Sequence, residues 1–209
     1  MVEHVRADAA IVVEPTDLRV AIAHRGFVGF ELETEGIAAH GSRPDLGEDA
    51  IAKMGPILVA LADLDERLQA GPAHPLVGPA SLHASLISGG QELSSFPAGC
   101  VLTGERRTIP GETVEQVEEE LGAIAGNAAV RIIASRDPLT PHPDSRFAEL
   151  VRGVADAGDY AGALFWTDAA LFAEAGIPTV VFGPAGEGAH ADVEWVRLTS
   201  LERVREGVG

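Results

Sequence analysis

Between Gly26 and Arg136 the chain alternates in an order that few folds can satisfy: strand, helix, strand, strand, helix, strand. Phe30, Leu32 and Thr34 alternate as strand residues do. Ile51, Met54, Leu58, Leu61, Leu64 and Leu68 then recur at three- and four-residue steps, the stripe of a helix with one buried face. Pro56 should kink that helix or mark where its regular part begins. Two strand runs follow, Ser81–Ser88 and Gly99–Thr108. Next come a capping-box pattern at Thr113–Gln116, a helix carrying Val114, Val117, Leu121 and Ile124, and a last strand at Val130–Ile133. The acidic run Glu118–Glu120 on the second helix reads as a solvated face. This order is that of a split βαβ, ferredoxin-like unit: four strands covered on one side by two helices.

The flanks, residues 1–25 and 137–209, are each too short for a core of their own, and the expectation is one α/β domain interrupted by the 26–136 unit. Asp8–Val13 reads as a short strand buried on both faces, followed at once by Glu14-Pro15-Thr16. Glu14 then stands where open α/β sheets place ligand groups, or is simply a strand-end charge facing water; local sequence leaves both open. Beyond the Pro-rich entry 138–143, helices are expected over 145–157 and 168–174, with a buried strand at Ile177–Phe182. A flexible Gly-rich loop, Gly183–Ala189, ends on His190, and Thr199–Glu202 has the form of a second capping box.

Composition narrows the function classes. A formal charge of −17 without a basic stripe argues against a nucleic-acid partner. No apolar run approaches a membrane span and the first residues lack a signal peptide's apolar core, so no membrane partner and a cytoplasmic location are expected. Cys100 is the sole cysteine and sits in an apolar run, as a buried inert thiol does.

One histidine stands apart. His40 lies in the small-residue stretch Gly36-Ile-Ala-Ala-His40-Gly-Ser-Arg-Pro44, between a strand and a helix pattern, unscreened by bulky neighbours. Presented in this way, an imidazole can reach a substrate, although an ordinary surface-loop histidine would look the same.

Three separated patterns now converge: Val13-Glu-Pro-Thr16 with Ala23-His-Arg-Gly26, the 36–51 stretch, and Phe182-Gly-Pro-Ala-Gly-Glu-Gly-Ala-His190 through Glu194. Together with Ile87–Gly90, Glu105–Thr113 and Phe165–Ala169, they resemble the zinc-dependent amidohydrolase and metallopeptidase family of acetylornithine deacetylase, succinyl-diaminopimelate desuccinylase and glutamate carboxypeptidase. The resemblance implies an α/β catalytic domain with a ferredoxin-like lid that dimerises. It also implies two zinc ions, or cobalt or manganese, activating a water against an amide. Glu14 would bind one metal and His190 the other. His40 would reach into the partner's site in a homodimer and stabilise the oxyanion. Arg107 would hold the carboxylate of a small anionic amide substrate as a bidentate fork, or else form a strand-face salt bridge. The Gly183–Gly188 turn, with Gly183 and Gly186, would supply backbone contacts to substrate, and Asp168 and Glu194 would orient the site from outside it.

The resemblance is incomplete. Members carry a His-x-Asp motif, a bridging aspartate and a Glu-Glu pair upstream of the Glu-Pro-Thr segment, and these 209 residues contain none of them. The expectation is an N-terminally truncated member whose chain alone binds zinc weakly and hydrolyses no amide. The alternatives are a non-catalytic dimerisation or small-molecule-binding module, and a mononuclear metal enzyme using Glu14, His190 and Asp168.

Overall fold

The computed structural model describes residues 6–142, 145–188 and 191–208. Strand β1 (Ala10–Val12) is followed by β2 (Ala21–His24), which runs through Arg25 into β3 (Gly26–Glu35). Helix α1 (Ala50–Ala70), the short hairpin β4 (Ala73–His74) and β5 (Gly78–Pro79), then β6 (Ser81–Gly89), β7 (Gly99–Thr108), α2 (Val114–Ala125) and β8 (Ala129–Arg136) complete the middle of the chain. The remainder supplies α3 (Arg146–Val154), β9 (Ala161–Ala163), α4 (Ala169–Glu174), β10 (Thr179–Val181), β11 (Gly186–Glu187), β12 (Trp195–Val196) and α5 (Leu198–Val208).

The middle segment forms a four-stranded antiparallel sheet ordered β6-β7-β3-β8 and backed by α1 and α2, the ferredoxin-like arrangement that the sequence order implies. Alternation decides its two faces. Val28, Phe30 and Leu32 of β3, with Cys100 and Leu102 of β7, point to the helices and are buried. On α1 the buried stripe is Ala50, Met54, Ile57, Leu61 and Leu64. Ile51 and Leu58, which the spacing places in the stripe, lie on its exposed flank. Asp49 caps α1 by accepting from the Ala52 N–H at 2.9 Å. Pro56 sits inside the helix without ending it, because it is on the solvent side, where water can satisfy the unpaired Ala52 carbonyl. The Thr113 capping box forms as expected at the start of α2. Strand β6 is an outer strand of the sheet, bulged between Ala84 and Leu86 and exposing Leu86 and Ile87.

The first and last parts of the chain share a second four-stranded sheet, ordered β1-β10-β2-β9. β1 is parallel to β10, β10 antiparallel to β2, and β2 parallel to β9. β1 lies at the edge of this sheet and is half-buried, not covered on both faces as its apolar run suggests. The Ala-Gly-Ala strand β9 carries no strand signal. It exists because Gly162 lets the β4–β5 hairpin approach: a Cβ there would stand 2.4 Å from the Leu76 carbonyl oxygen. At the C-terminal end no capping box forms at Thr199. The helix begins at Leu198, and Ser200 turns inward, buried, to donate to the Arg197 carbonyl at 2.6 Å and accept from the Ala185 N–H at 2.9 Å.

Two buried polar groups hold this framework. Arg106, fully buried beneath α2, donates to Glu112 at 2.7 Å and 3.2 Å, to Glu120 at 3.2 Å and to the Arg107 carbonyl at 2.7 Å. Glu120 thus turns inward from the acidic run, leaving Glu118 and Glu119 exposed. Burial alone would lower the Arg106 pKa, but the two carboxylates outweigh it and raise it. His24 is buried where β2 passes into β3. Its backbone N–H donates to the Leu139 carbonyl at 3.3 Å and its Nδ1 lies 2.9 Å from the Arg25 carbonyl. The Leu139 N–H also approaches Nδ1, at 3.4 Å, and Nε2 is buried without a partner among the described residues. The ring packs edge-on to Trp166, with centroids 6.3 Å apart. Burial depresses the His24 pKa, which the nearby backbone groups offset only in part. The Cys100 thiol is buried too, and its pKa is pushed up by burial and by the charge of Asp49.

Glu112→Ala removes the main partner of a buried guanidinium and the acceptor of the Ile109 N–H, and should cost about 3 kcal/mol in urea denaturation. Arg43→Ala, which breaks the exposed Arg43–Asp45 pair, should leave the urea midpoint unchanged. His24 should make the fold acid-sensitive. Its folded pKa is lowered, so the unfolded chain binds more protons just below 6.5, and stability is complete above that value and falls as pH drops through it. His74, whose pKa burial also lowers, adds in the same direction. Denaturation at pH 7.5 and 5.5 should show the loss, with a slope of up to about 1.4 kcal/mol per pH unit for each group, and His24→Phe should flatten it.

Candidate functional site

The parallel pairing of β1 with β10 sends two turns off the same sheet edge, since Val12 lies beside Val181 and both strands end there. Glu14 leaves β1 and Gly183 follows β10. The turns are stapled together: the Gly183 N–H donates to Thr16 Oγ1 at 3.0 Å, the Leu18 N–H to the Gly183 carbonyl at 3.0 Å, and the Asp17 N–H to the Pro184 carbonyl at 3.2 Å. Only glycine fits at 183, because a Cβ there would lie 2.1 Å from the Glu14 carbonyl oxygen. Asp17 and Leu18 both adopt positive φ, 54° and 61°, a conformation that side chains disfavour. The strain is held by these cross-turn bonds and by Leu18 packing on the core below.

Gly183 to Ala185 are therefore buried and rigidly bonded, not a flexible loop. Both backbone polar groups of Gly183 are already paired with Thr16 and Leu18. Half-buried Gly186 pairs with Val196 in the β11–β12 hairpin, which brackets the segment bearing His190. His190 itself lies outside the described residues. Glu14 is exposed, as are Asp168 and Glu194, and Asp168 makes no side-chain capping bond to α4.

Carboxylate and imidazole are suitable donors for zinc, but a catalytic zinc takes about three protein ligands. Among the described residues no group of three or more His, Cys, Asp or Glu could hold a metal ion. The described residues do not by themselves make either metal site.

His40 and Arg107 lie elsewhere, at opposite ends of the middle sheet. β3 runs from Gly26, beside the other sheet, out to Glu35, so the His40 loop sits roughly 30 Å from that junction. The loop is zipped to residues 94–96: the Gly41 N–H donates to the Ser94 carbonyl at 2.7 Å and the Phe96 N–H to the Ala39 carbonyl at 2.8 Å. Gly36 is required where the loop leaves β3, as a Cβ would stand 2.3 Å from the Glu48 carbonyl oxygen. The His40 side chain is exposed. Its Nδ1 lies 2.8 Å from Ser42 Oγ.

Arg107 pairs with Phe27 at the junction end, on the sheet face away from the helices. Its Nε donates to Glu105 at 2.7 Å and its guanidinium lies 5.8 Å from the Phe27 ring centre. The strand-face salt bridge is thus formed. The surroundings add something that the sequence did not reveal. The Arg25 pKa is lowered by burial and by the neighbouring charge of Arg107, while Arg136 lies 5.9 Å from the Trp166 ring centre, itself edge-on to Phe27. Three arginines and two aromatic rings make a basic corner where the sheets meet, in a chain of net charge −17. Arg25 belongs to the Ala23–Gly26 pattern and Arg136 ends the ferredoxin-like unit, but only the pairing of β7 and β8 on either side of Phe27 brings Arg136 to the same end of the sheet as Arg107.

Residues 22–132 match the family model of the peptidase dimerisation domain, M20 type. Acetylornithine deacetylase of Myxococcus xanthus is 33% identical over 215 residues, covering 95% of this chain and 55% of the relative. The Proteus mirabilis acetylornithine deacetylase is 27% identical, covering 98% and 56%. Among solved structures, aminopeptidase PepT from Bacillus cereus superposes with a TM-score of 0.75 at 17% identity over 99% of this chain and 57% of that one. An amidase of the hydantoinase/carbamoylase family from Burkholderia vietnamiensis gives 0.68 at 16% identity, over 95% and 51%. These structural likenesses show the fold, and the chain spans about half the length of the curated relatives it matches. With the dimerisation-domain match covering more than half of its residues, this α/β chain belongs to the M20 peptidase family.

Proposed function

We propose that this chain supplies the lid and part of the catalytic domain of a metal-dependent amide hydrolase. It would be an acetylornithine deacetylase-like deacylase or exopeptidase acting on N-acyl amino acids or small peptides in the cytoplasm. The observation that carries this is the stapling of the Glu14 turn to the Gly183 turn at one sheet edge, with an exposed histidine on a separate, rigid lid. In this reading Glu14 and His190 each ligate one of two zinc ions, or cobalt or manganese in their place. The other ligands are not among the described residues, and the isolated chain is inactive.

The chain's own residues then divide the work. Hydrolysis builds negative charge on the amide oxygen, and a donor aimed at that oxygen is worth about 10²–10³ in rate. His40 is such a donor, and its distance from Glu14's sheet suits action on a partner's site rather than its own. Arg107, with Arg25 and Arg136 beside it, favours a substrate carrying a carboxylate. Gly183 and Gly186 shape the turn on which that substrate rests.

A second reading, a dimerisation module without catalysis, is favoured by the exposed β6 edge with Leu86 and Ile87, beside Ile51 of α1. Both readings place a two-fold interface there. Sedimentation should give a dimer, and Ile87→Glu should shift it to monomer with the fold intact. To separate the readings, this chain can replace the matching portion of the Myxococcus xanthus relative. That chimera should deacylate N-acetyl amino acids only with added metal, and His40→Ala should lower kcat by about 10²–10³. A dimeric, folded chimera without activity would leave the binding module as the better account.

A further inference from the structure

Two groups of Ser42 face one nitrogen of the His40 ring. Ser42 Oγ lies 2.8 Å from Nδ1 and the Ser42 backbone nitrogen 3.2 Å from it. The amide can only donate, so Nδ1 presents its lone pair, and the hydroxyl must donate to the same nitrogen. A neutral imidazole that accepts at Nδ1 carries its proton at Nε2. No hydrogen bond within the described residues reaches Nε2. The turn that makes this arrangement is itself fixed, because the Arg43 N–H donates to the His40 carbonyl at 2.8 Å and the Gly41 N–H to Ser94 at 2.7 Å.

We propose that Ser42 is a positioning residue for His40: it locks the ring as the Nε2–H tautomer and leaves one N–H donor facing outwards. The destination of that donor, the developing oxyanion of an amide substrate, rests on the hydrolase reading; the tautomer lock does not. The chemistry requires this choice. With the proton on Nδ1, a lone pair on Nε2 would meet the oxyanion and repel it, so the wrong tautomer removes the donor without moving the side chain. The lock also limits ring rotation, since a flipped ring would place carbon where the Ser42 amide and hydroxyl now find an acceptor. Ser42 is exposed, so its substitution tests this function without disturbing a core.

The test uses the 209-residue chain labelled with 15N at histidine, at about pH 8.5, where ordinary imidazoles are neutral. His40→Gln assigns the signals. His40 should show an acceptor-type shift at Nδ1 and a protonated-type shift at Nε2. Ser42→Ala removes the hydroxyl but keeps the weaker amide donor, and should move both shifts part of the way toward the average of the two tautomers; Ser42→Thr, which keeps the hydroxyl, should restore them. A protonated-type Nδ1 in the wild type, or identical His40 shifts in the wild type and Ser42→Ala, would overturn the proposal. In the chimera Ser42→Ala should lower kcat about 5- to 10-fold at constant KM, with recovery in Ser42→Thr. Should the ring shifts behave as proposed while the chimera hydrolyses nothing, the lock stands and the hydrolase reading fails.

Discussion

The parallel pairing of β1 with β10 is the contact on which the remaining architecture depends. It joins residues about 170 positions apart, Ala10–Val12 with Thr179–Val181, and so makes one sheet from the two ends of the chain. The 26–136 unit must leave and return through the junction at Arg25 and Asp137. The Thr16 hydroxyl and the Asp17 and Leu18 amides then tie the two turns at the end of that pairing, and the strained Asp17–Leu18 backbone persists because these cross-turn bonds hold it. Such long-range closure carries a large entropic cost before it returns any contact, which suits a segment whose turns must be held in one geometry.

The middle sheet was legible from sequence because each of its elements carries its own signal. The alternation in β3 and β7, the α1 stripe and the Thr113 capping box are all local and strong. The second sheet was harder for a physical reason. β9 is Ala-Gly-Ala, chosen for the room it leaves to the β4–β5 hairpin rather than for strand propensity. β1 reads as a fully buried strand, but burial depends on neighbours that no local pattern names. The Thr199 pattern predicts a cap, but the helix starts two residues earlier, and the Ser200 hydroxyl turns inward to accept from the Ala185 amide rather than to cap the helix.

At the candidate site, sequence spacing found Glu14, Arg107 and His40 but could not say how they relate. The adjacent arginines illustrate why. One strand step reverses the face, so Arg106 is a buried structural cation under α2 while Arg107 lies on the open face beside Phe27. Similarly, His24 and His40 both follow an alanine and precede a glycine within two residues, yet one is sealed at the sheet junction with Nε2 unpartnered among the described residues and the other stands in solvent at the tip of the lid. Arg25 and Arg136 acquire significance only through tertiary structure: Arg25 stands near the like charge of Arg107, and strand pairing puts Arg136 on the other side of Phe27 from Arg107.

The bulge at Ser85 has a consequence for how copies of this chain can meet. An open strand edge is a template for unlimited addition of further strands, the geometry of fibres. The bulge breaks the β6 ladder between Ala84 and Leu86 into two runs of four, Ser81 to Ala84 and Leu86 to Gly89, and the exposed Leu86 and Ile87 lie in the second. Two copies meeting antiparallel there would each present the same short segment to the other and exhaust it. Assembly at that edge is therefore self-terminating: the contact has two members and no vacancy for a third.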